Sequence, residues 1–260
     1  MTETTTTSPI RCTTERDGQL ERIVLDRPKG NVLDRAMMEA IRGRFRELSH
    51  AKDAKLLVFE GAGANFSFGA SVAEHLPGRI DAVLPVFHQL FRELETLGIP
   101  TAAVVRGQCL GGGLELASWC GMVVCDDSAR FGVPEVSLGV FPPVAALSLA
   151  WRVGGARAAR LVLTGQSLDA KAAAAIGCAD LVADDPEAAL QGWFDSHLLA
   201  KSALALRYAW QAARRPMAAA AARDLPALEA FYLEDLMTHH DAVEGVTAFV
   251  ERRPPVWKNE

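Results

Sequence analysis

The sequence predicts an α/β fold, in which a core of strand–helix units is followed by a helical C-terminal region. Three observations support this prediction. Short apolar runs alternate with segments of helical periodicity in the first half of the chain, and helical patterns dominate the last hundred or so residues. Half of the 260 residues are hydrophobic, enough to form one large core. Repeated strand–helix units favour a parallel sheet.

Buried strands are predicted from short runs rich in branched apolar residues. They cover Leu20–Asp26, Leu56–Glu60, Thr101–Val105 and Met122–Cys125, and Ala179–Val182 is a further candidate. The segment Ala129–Val136 is expected to be irregular or extended. The polar N-terminal segment Met1–Pro9 predicts a frayed tail.

Helices are predicted where apolar residues recur at helical spacing. Asp34 can cap the first helix, which carries Met37 to Leu48, and a second helix covers Ile80–Leu97. The later helical patterns are Leu114–Cys120, Val144–Arg152, Ala156–Leu163, Asp169–Ile176, Pro186–Ala200, Ser202–Arg214, Met217–His240 (with Pro226 as a candidate bend) and Val243–Glu251.

The most informative segment is a glycine-rich turn between a strand and a helix. Gly111–Gly113 follow the strand Thr101–Val105 closely, and Glu115 lies within the first turn of the helix that follows. Free N–H groups and the positive end of the helix dipole make such a turn suitable for a developing negative charge. On the glycines alone, a tight turn without chemistry is equally supported. The turn lacks the dinucleotide and phosphate-loop motifs.

A second glutamate could join the first across one strand. Glu135 follows Pro134, and the strand Met122–Cys125 separates it from Glu115. Two carboxylates that flank a substrate can divide acid and base roles if their environments separate their pKa values. For any single glutamate, a solvated or helix-capping role is the more common one.

Composition argues against several other classes of function. The net charge is −5 and no basic stripe occurs, so nucleic acid is not an expected partner. No apolar run is long enough to span a membrane. The five cysteines include no C-x-x-C pair, and four lie in apolar stretches, so we expect free buried thiols in a reducing cytoplasm and no zinc site.

Two other candidate sites are less well supported. Ser71 and His75 could form part of a hydrolase site, but the G-x-S-x-G elbow is absent. The run His239-His240-Asp241 could bind a metal, but without spaced partners it is better explained as a solvated helix end.

Four segments resemble the crotonase, or enoyl-CoA hydratase/isomerase, superfamily over nearly the full chain. They match R-P-x-x-N-x-L in Leu25–Leu33, F-x-x-G-A-D in Phe66–Ser71, G-x-x-x-G-G-G-x-E-L-A-x-x-C in Gly107–Cys120 and F-x-x-P-E-x-x-L-G in Phe131–Gly139. The final segment Phe249–Trp257 is also similar to the family's ending. Four motifs in the same order make the resemblance specific.

The resemblance implies a repeated ββα superhelical core over residues 11–195, with a disordered tail at 1–10 and a helical trimerisation region at 196–260. It implies an acyl-CoA thioester as substrate, no separate cofactor and no metal, and a homotrimer or hexamer.

The resemblance also implies roles for particular residues. Backbone N–H groups of Ala70 and Gly112 would form an oxyanion hole, and Glu115 and Glu135 would hold a water and act as acid and base. The expected substrate- or CoA-binding residues are Lys29, Phe68, Gly69, Ser71, Gly111 and Lys258, the last across a subunit boundary. For the two lysines, an ordinary surface position is the favoured alternative.

The sequence departs from the family pattern at two places. Ser71 replaces the aspartate of G-A-D, and Val140–Leu147 replaces a glycine-rich segment, which predicts a reshaped acyl pocket. The quoted segments are most similar to the branch that hydrates cyclic dienoyl-CoA thioesters such as cyclohexa-1,5-diene-1-carbonyl-CoA. An enoyl-CoA isomerase and a non-catalytic acyl-CoA-binding scaffold remain alternatives.

Overall fold

The computed structural model describes residues 8–260, which contain two sheets. The strands are β1 (Ile10–Glu15), β2 (Leu20–Leu25), β3 (Leu56–Gly61), β4 (Thr101–Val105), β5 (Gln108–Leu110), β6 (Met122–Cys125), β7 (Arg130–Gly132), β8 (Leu168–Asp169) and β9 (Leu181–Val182). The main sheet has the order β1-β2-β3-β4-β6-β9 and the small sheet has the order β5-β7-β8.

Most of the main sheet is parallel, as the alternation of strands and helices predicts. From β2 to β9 neighbouring strands run parallel, with Leu57 opposite Thr101 and Ala102 opposite Met122. Only β1 is antiparallel, paired with β2. In the small sheet β5 is parallel to β7, which is antiparallel to β8.

Nine α-helices surround the sheets within the described residues. They are α1 (Arg35–Leu48), α2 (Ile80–Leu97), α3 (Gly112–Trp119), α4 (Pro143–Val153), α5 (Gly155–Thr164), α6 (Ala170–Ile176), α7 (Pro186–His197), α8 (Ala203–Ala230) and α9 (His240–Glu251). Short 3-10 turns cover Val72–His75 and Pro134–Leu138, and a π-helical turn over Phe231–Asp235 continues α8.

The central strands β3, β4 and β6 of the main sheet are buried on both faces, which explains their nearly continuous apolar sequences. In β3, Leu57 and Phe59 pack into the larger core, which also contains apolar residues of α1, α2 and α3. The alternate residues Leu56 and Val58 face a smaller cluster that includes Phe194 of α7. Because successive side chains of a strand point to opposite faces of the sheet, each face of the main sheet packs against its own helices.

The structure corrects two sequence-based expectations. Ile10, placed in the predicted tail over residues 1–10, begins β1; residues 1–7 of that tail lie outside the described residues. Four of the six β1 residues are exposed, so β1 carries no apolar alternation that would identify it. The separate helices predicted over Ser202–Arg214 and Met217–His240 are largely one helix, α8, which continues through Pro216 and Pro226.

Four cysteines are free and buried, as predicted, and Cys12 is free and exposed. Within residues 8–260, no helix combines the length and the apolar character that a membrane crossing requires.

Candidate active site

Two loops that are distant in sequence lie side by side at the centre of the site. A β-carbon added to Gly69 would lie 2.7 Å from the Leu110 carbonyl oxygen, and one added to Gly112 would lie 3.0 Å from the Ala70 nitrogen. Gly69 also has a φ of +96°, which L-residues rarely adopt. Glycine at these positions allows the Ala70 and Gly112 amides to be neighbours.

The Ala70 amide is oriented by the carbonyl of the same peptide group. Gly69 O accepts a hydrogen bond of 2.9 Å from the Leu33 N–H. Because a trans peptide is planar, its N–H points away from its C=O. The Ala70 N–H is therefore turned away from Leu33, and Ala70 itself lines the cavity described below.

The Gly112 amide is oriented in the same way by the start of α3. Gly111 O accepts a 2.9 Å hydrogen bond from the Glu115 N–H, the first bond of that helix. The Gly112 N–H therefore points out of the helix N-terminus, where the dipole favours negative charge. Two neighbouring N–H groups of this kind are candidate donors for an oxyanion hole.

Two buried polar side chains, Ser67 and Asn31, stabilise the loop that carries Gly69. Neither was predicted from the sequence to have a role in the site. Ser67 Oγ donates to Asn31 O at 2.8 Å and accepts from the Gly69 N–H at 3.0 Å. Asn31 Nδ2 donates to the carbonyls of Ala62, Asn65 and Phe66. The only signal for Asn31 was its place in a motif, and Ser67 occupies a variable position of its motif.

Glu115 is buried, and its carboxylate caps another helix. Its Oε1 accepts a 2.9 Å hydrogen bond from the Ala145 N–H, in the first turn of α4. Pro142, the N-cap residue of α4, provides no side-chain cap. Burial raises the pKa of Glu115 to about 7, although hydrogen bonds from the Ala145 and Val144 N–H groups oppose this rise.

Glu135 reaches the same place from the 3-10 turn that follows β7. A β-carbon on Gly111 would lie 2.6 Å from Glu135 Oε1, so a larger residue there would displace the carboxyl group from this position. Glu135 Oε2 is buried without a hydrogen-bond partner among the described residues. Burial, and then the charge of Glu115, raise the pKa of Glu135 to about 8. The two carboxyls are thus a coupled pair.

Both glutamates line a small inner cavity of about 30 Å³, which has space for one or two water molecules. Its lining consists of Met38, Ala70, His75, Ile80, Val83, Leu84, Phe87, Gly112, Glu115, Glu135, Phe141, Pro142, Pro143 and Tyr232. An outer cleft of about 470 Å³ shares Ala70, His75 and Glu135 with it. Ala70 and Glu135 therefore lie where the two spaces meet, and Gly112 and Glu115 line the inner cavity beside them.

The other predicted substrate-binding residues are spread over the surface around the site. Phe68, 46% exposed, lines the outer cleft together with Gly69 and Gly111. Lys29 lines a separate surface pocket of about 330 Å³. Lys258 lies elsewhere, and its N–H donates to Asp241 Oδ1.

Ser71 and His75 do not form a hydrolase pair. His75 Nδ1 donates to the Ser71 carbonyl oxygen at 2.8 Å, not to its hydroxyl. Burial lowers the pKa of His75, which keeps the ring neutral. His239 and His240 pair with Asp235 and Asp241, and no cluster of three or more metal-ligating side chains occurs in the described part of the chain.

Comparisons with known proteins agree with this geometry. The family model described as enoyl-CoA hydratase/isomerase matches residues 15–260. The chain is 44% identical over 252 residues to the cyclohexa-1,5-dienecarbonyl-CoA hydratase of Thauera aromatica, covering 97% of this chain and 98% of that protein. It is 32% identical over 242 residues to the 2,3-dehydroadipyl-CoA hydratase of Escherichia coli K12, covering 91% and 94% respectively.

Solved structures show the same fold. The crystal structure of an enoyl-CoA hydratase from Mycobacterium avium subsp. paratuberculosis K-10 superposes with a TM-score of 0.84 at 26% identity, covering 96% of this chain and 99% of that one. An enoyl-CoA hydratase/isomerase from Xanthobacter autotrophicus Py2 gives 0.80 at 28% identity, covering 95% and 93%. The crotonase-type fold predicted from the sequence is confirmed, and the chain belongs to the enoyl-CoA hydratase/isomerase family.

Proposed function

We propose that this protein adds water to a cyclic dienoyl-CoA thioester, with cyclohexa-1,5-diene-1-carbonyl-CoA as its substrate. One observation carries the proposal: two buried carboxyl groups, those of Glu115 and Glu135, line the same cavity as the adjacent residues Ala70 and Gly112. The 44% identity to the Thauera aromatica enzyme supports the choice of acyl group.

The backbone amides would stabilise the intermediate. Attack of water on the unsaturated thioester moves negative charge to the thioester oxygen, which forms an enolate. The N–H groups of Ala70 and Gly112 would donate to that oxygen. One such preorganised donor contributes about 3 kcal/mol to transition-state stabilisation.

The glutamate pair would move the protons. With pKa values of about 7 and about 8, the pair holds roughly one proton near neutral pH. The ionised carboxylate takes a proton from water as the oxygen bonds to carbon, and the protonated carboxyl gives its proton to a carbon of the enolate. The pair ends with as many protons as it began with. An isomerase moves a double bond without adding water, for which one such group suffices.

The walls of the inner cavity suit a flat, unsaturated ring. Phe87 comes from α2, and Phe141, Pro142 and Pro143 come from the segment that replaces the family's glycine-rich one. Aromatic and proline walls provide apolar surface to a ring. The inner cavity is smaller than a six-membered ring, so we expect these walls to separate when the acyl group enters.

The CoA portion would extend from the outer cleft. We propose that Phe68, Gly69, Ser71 and Gly111 line its path, and that Lys29 contacts its phosphates. The CoA thioester is itself the substrate, so the proposed reaction needs no further cofactor.

The C-terminal helical region would assemble the protein into a homotrimer or hexamer, in which Lys258 would meet CoA bound to a neighbouring subunit. The chain leaves large apolar side chains exposed on this region, including Leu204, Phe249, Val256 and Trp257. Apolar patches of this kind mark interfaces between proteins. Four buried free thiols support a cytoplasmic location.

A substrate panel in labelled water tests the proposed function. Purified protein is mixed with crotonyl-CoA and with the cyclic dienoyl-CoA, and loss of thioester-conjugation absorbance and incorporation of heavy oxygen are followed. Hydration of the cyclic dienoyl-CoA at the higher kcat/KM supports the proposal. Double-bond movement without oxygen incorporation identifies an isomerase, and saturable CoA-ester binding without turnover identifies a binding protein.

A further inference from the structure

Tyr232 is a polar residue of the inner cavity that the proposed mechanism does not use. It lies in the π-helical turn Phe231–Asp235 at the end of α8, far in sequence from both glutamates. Its side chain is 1% exposed, and it lines the inner cavity with Glu115 and Glu135. π-Helical turns inside longer helices occur frequently at functional sites.

Aromatic neighbours fix the Tyr232 ring on two sides. The Phe141 ring packs edge-on against it with centroids 5.3 Å apart, and the His75 ring packs edge-on at 6.5 Å. Phe231 also packs against Phe141, with ring centroids 5.5 Å apart. The phenol therefore belongs to a buried aromatic cluster, whose contacts limit the positions open to its hydroxyl.

The Tyr232 hydroxyl is buried without a hydrogen-bond partner among the described residues. Glu135 Oε2, in the same cavity, has none either. Burial and the charges of Glu135 and Glu115 raise the pKa of Tyr232, which keeps the phenol protonated and available as a donor. Since unpartnered buried polar groups are costly and rare, two that face one cavity indicate a shared polar ligand.

We propose that the Tyr232 hydroxyl binds the oxygen that hydration adds to the acyl group. It would donate to the water before addition and to the new hydroxyl of the product, with Glu135 on the same oxygen. The assignment rests on the proposed function and deepens it, because it names a residue that recognises hydroxyacyl-CoA thioesters.

The rest of the cavity makes an oxygen ligand the best match. Met38, Ile80, Val83, Leu84 and Phe87 supply apolar walls. The amides of Ala70 and Gly112 are assigned to the thioester oxygen. The Tyr232 phenol is therefore a polar group left for the distal part of the acyl group, where the added oxygen lies.

The test measures the affinities of two ligands that differ by one hydroxyl group. Each ligand is bound to the wild-type protein and to Tyr232→Phe, a substitution that removes only the phenol oxygen. The ligands are 6-hydroxycyclohex-1-ene-1-carbonyl-CoA and cyclohex-1-ene-1-carbonyl-CoA. We expect Tyr232→Phe to weaken binding of the hydroxylated ligand by about tenfold and binding of the deoxy ligand by less than about twofold. Hydration kcat/KM should fall by at least the same factor.

The matched control is Tyr208→Phe, at the chain's other tyrosine, which is 68% exposed. It should leave both affinities unchanged. Equal loss for both ligands in Tyr232→Phe, or no loss for either, would overturn the assignment. Removal of an unpartnered hydroxyl should not lower Tm, so misfolding is not an expected complication.

The ligand pair separates this assignment from the proposed function. If wild type hydrates no thioester in the panel, the proposed function fails, but the affinity difference still decides the role of Tyr232. If wild type hydrates the cyclic diene and yet Tyr232→Phe binds both ligands as wild type does, only the Tyr232 assignment fails. The pair 3-hydroxybutyryl-CoA and butyryl-CoA repeats the comparison for a linear acyl group.

Discussion

The Glu115 carboxylate accepts a 2.9 Å hydrogen bond from the backbone N–H of Ala145, and so it caps α4 while it faces the inner cavity. One side chain thus connects the proposed acid–base pair to the wall of the inner cavity, because α4 begins at Pro143, a residue of that wall. Movement of the wall is expected to change the surroundings of Glu115.

Replacement of either cavity glutamate by glutamine should abolish most hydration. We expect Glu115→Gln and Glu135→Gln each to lower kcat by about 10²–10⁴-fold, because each removes one acid–base group. In Glu115→Gln the new amide oxygen can still accept from the Ala145 N–H, so the fold should persist. Glu39→Gln, on the exposed side of α1, is the matched control in a steady-state hydration assay. Full activity in both cavity variants would refute a two-carboxylate mechanism.

The pH dependence of kcat/KM should reflect the titration of Glu115 and Glu135 together. Below about pH 7 both carboxyls are protonated and the base is lost, and above about pH 8 both are ionised and the acid is lost. We therefore expect a narrow bell for kcat/KM, with its maximum between these values. Glu115→Gln should lower the pKa of Glu135, since a negative neighbour is removed. A flat profile from pH 6 to 9 would contradict the coupling.

The same pair should make the fold less stable as pH rises. Both groups have folded-state pKa values above the ordinary 4.5, so their contribution is fully present below 4.5 and is lost as pH rises through about 7 and about 8. Glu135→Gln should therefore gain stability over wild type by about 2–4 kcal/mol at pH 9 and by less at pH 6. Thermal unfolding of both proteins at pH 6 and at pH 9 measures this gain in stability. An equal gain at the two pH values would argue against burial of the charge.

Displacement of the loop that carries Gly69 and Ala70 should lower kcat by more than any loss of stability explains. In Gly69→Ala, the new β-carbon meets the Leu110 carbonyl at 2.7 Å, which should move the Ala70 N–H and lower kcat by about 10²-fold or more. Gly18→Ala is the matched control, because Gly18 also has a positive φ, +85°, but has nothing within 4 Å of the added atom. It should lose some stability and retain wild-type kcat. Equal kcat in the two variants would argue against the assigned role of the loop.

Lys29 should affect CoA but not the acyl group. We expect Lys29→Ala to raise KM for CoA thioesters by about 3–10-fold, with little change for the corresponding pantetheine thioesters, which lack the nucleotide phosphates. Lys258→Ala tests the other lysine, and it should act only in the oligomer. Unchanged KM values in both variants would place both lysines among ordinary surface residues.

Much of the fold could be predicted because the core strands carry their own signal. The runs around Val58 and Val104 are apolar on both faces, and α1 and α2 have clear apolar stripes. The short strands β5 and β8 could not be found this way, because their pairing depends on neighbours distant in sequence. The continuity of α8 through two prolines depends likewise on tertiary packing, which overrides local preference.

Site residues could be predicted where the residue type itself indicates a chemical role. They were harder to predict where the role depends on the position of the side chain in the fold. Glu115 and Glu135 stood out as carboxyls beside a glycine turn and a proline, and the structure brings them together. Ser67 and Tyr232 gave no such signal. A serine and a tyrosine in apolar surroundings are common in sequences and indicate no special role. Ser67 is distinguished only by its hydrogen bonds in the structure, and Tyr232 only by its unpartnered buried hydroxyl.

The amides of Ala70 and Gly112 belong to the main chain, so no side-chain replacement deletes them. The aromatic and proline residues that shape the acyl pocket are side chains, and they can be exchanged one at a time. If the proposed mechanism holds, a lineage with this fold could acquire new substrates in small steps while both backbone donors stay in place.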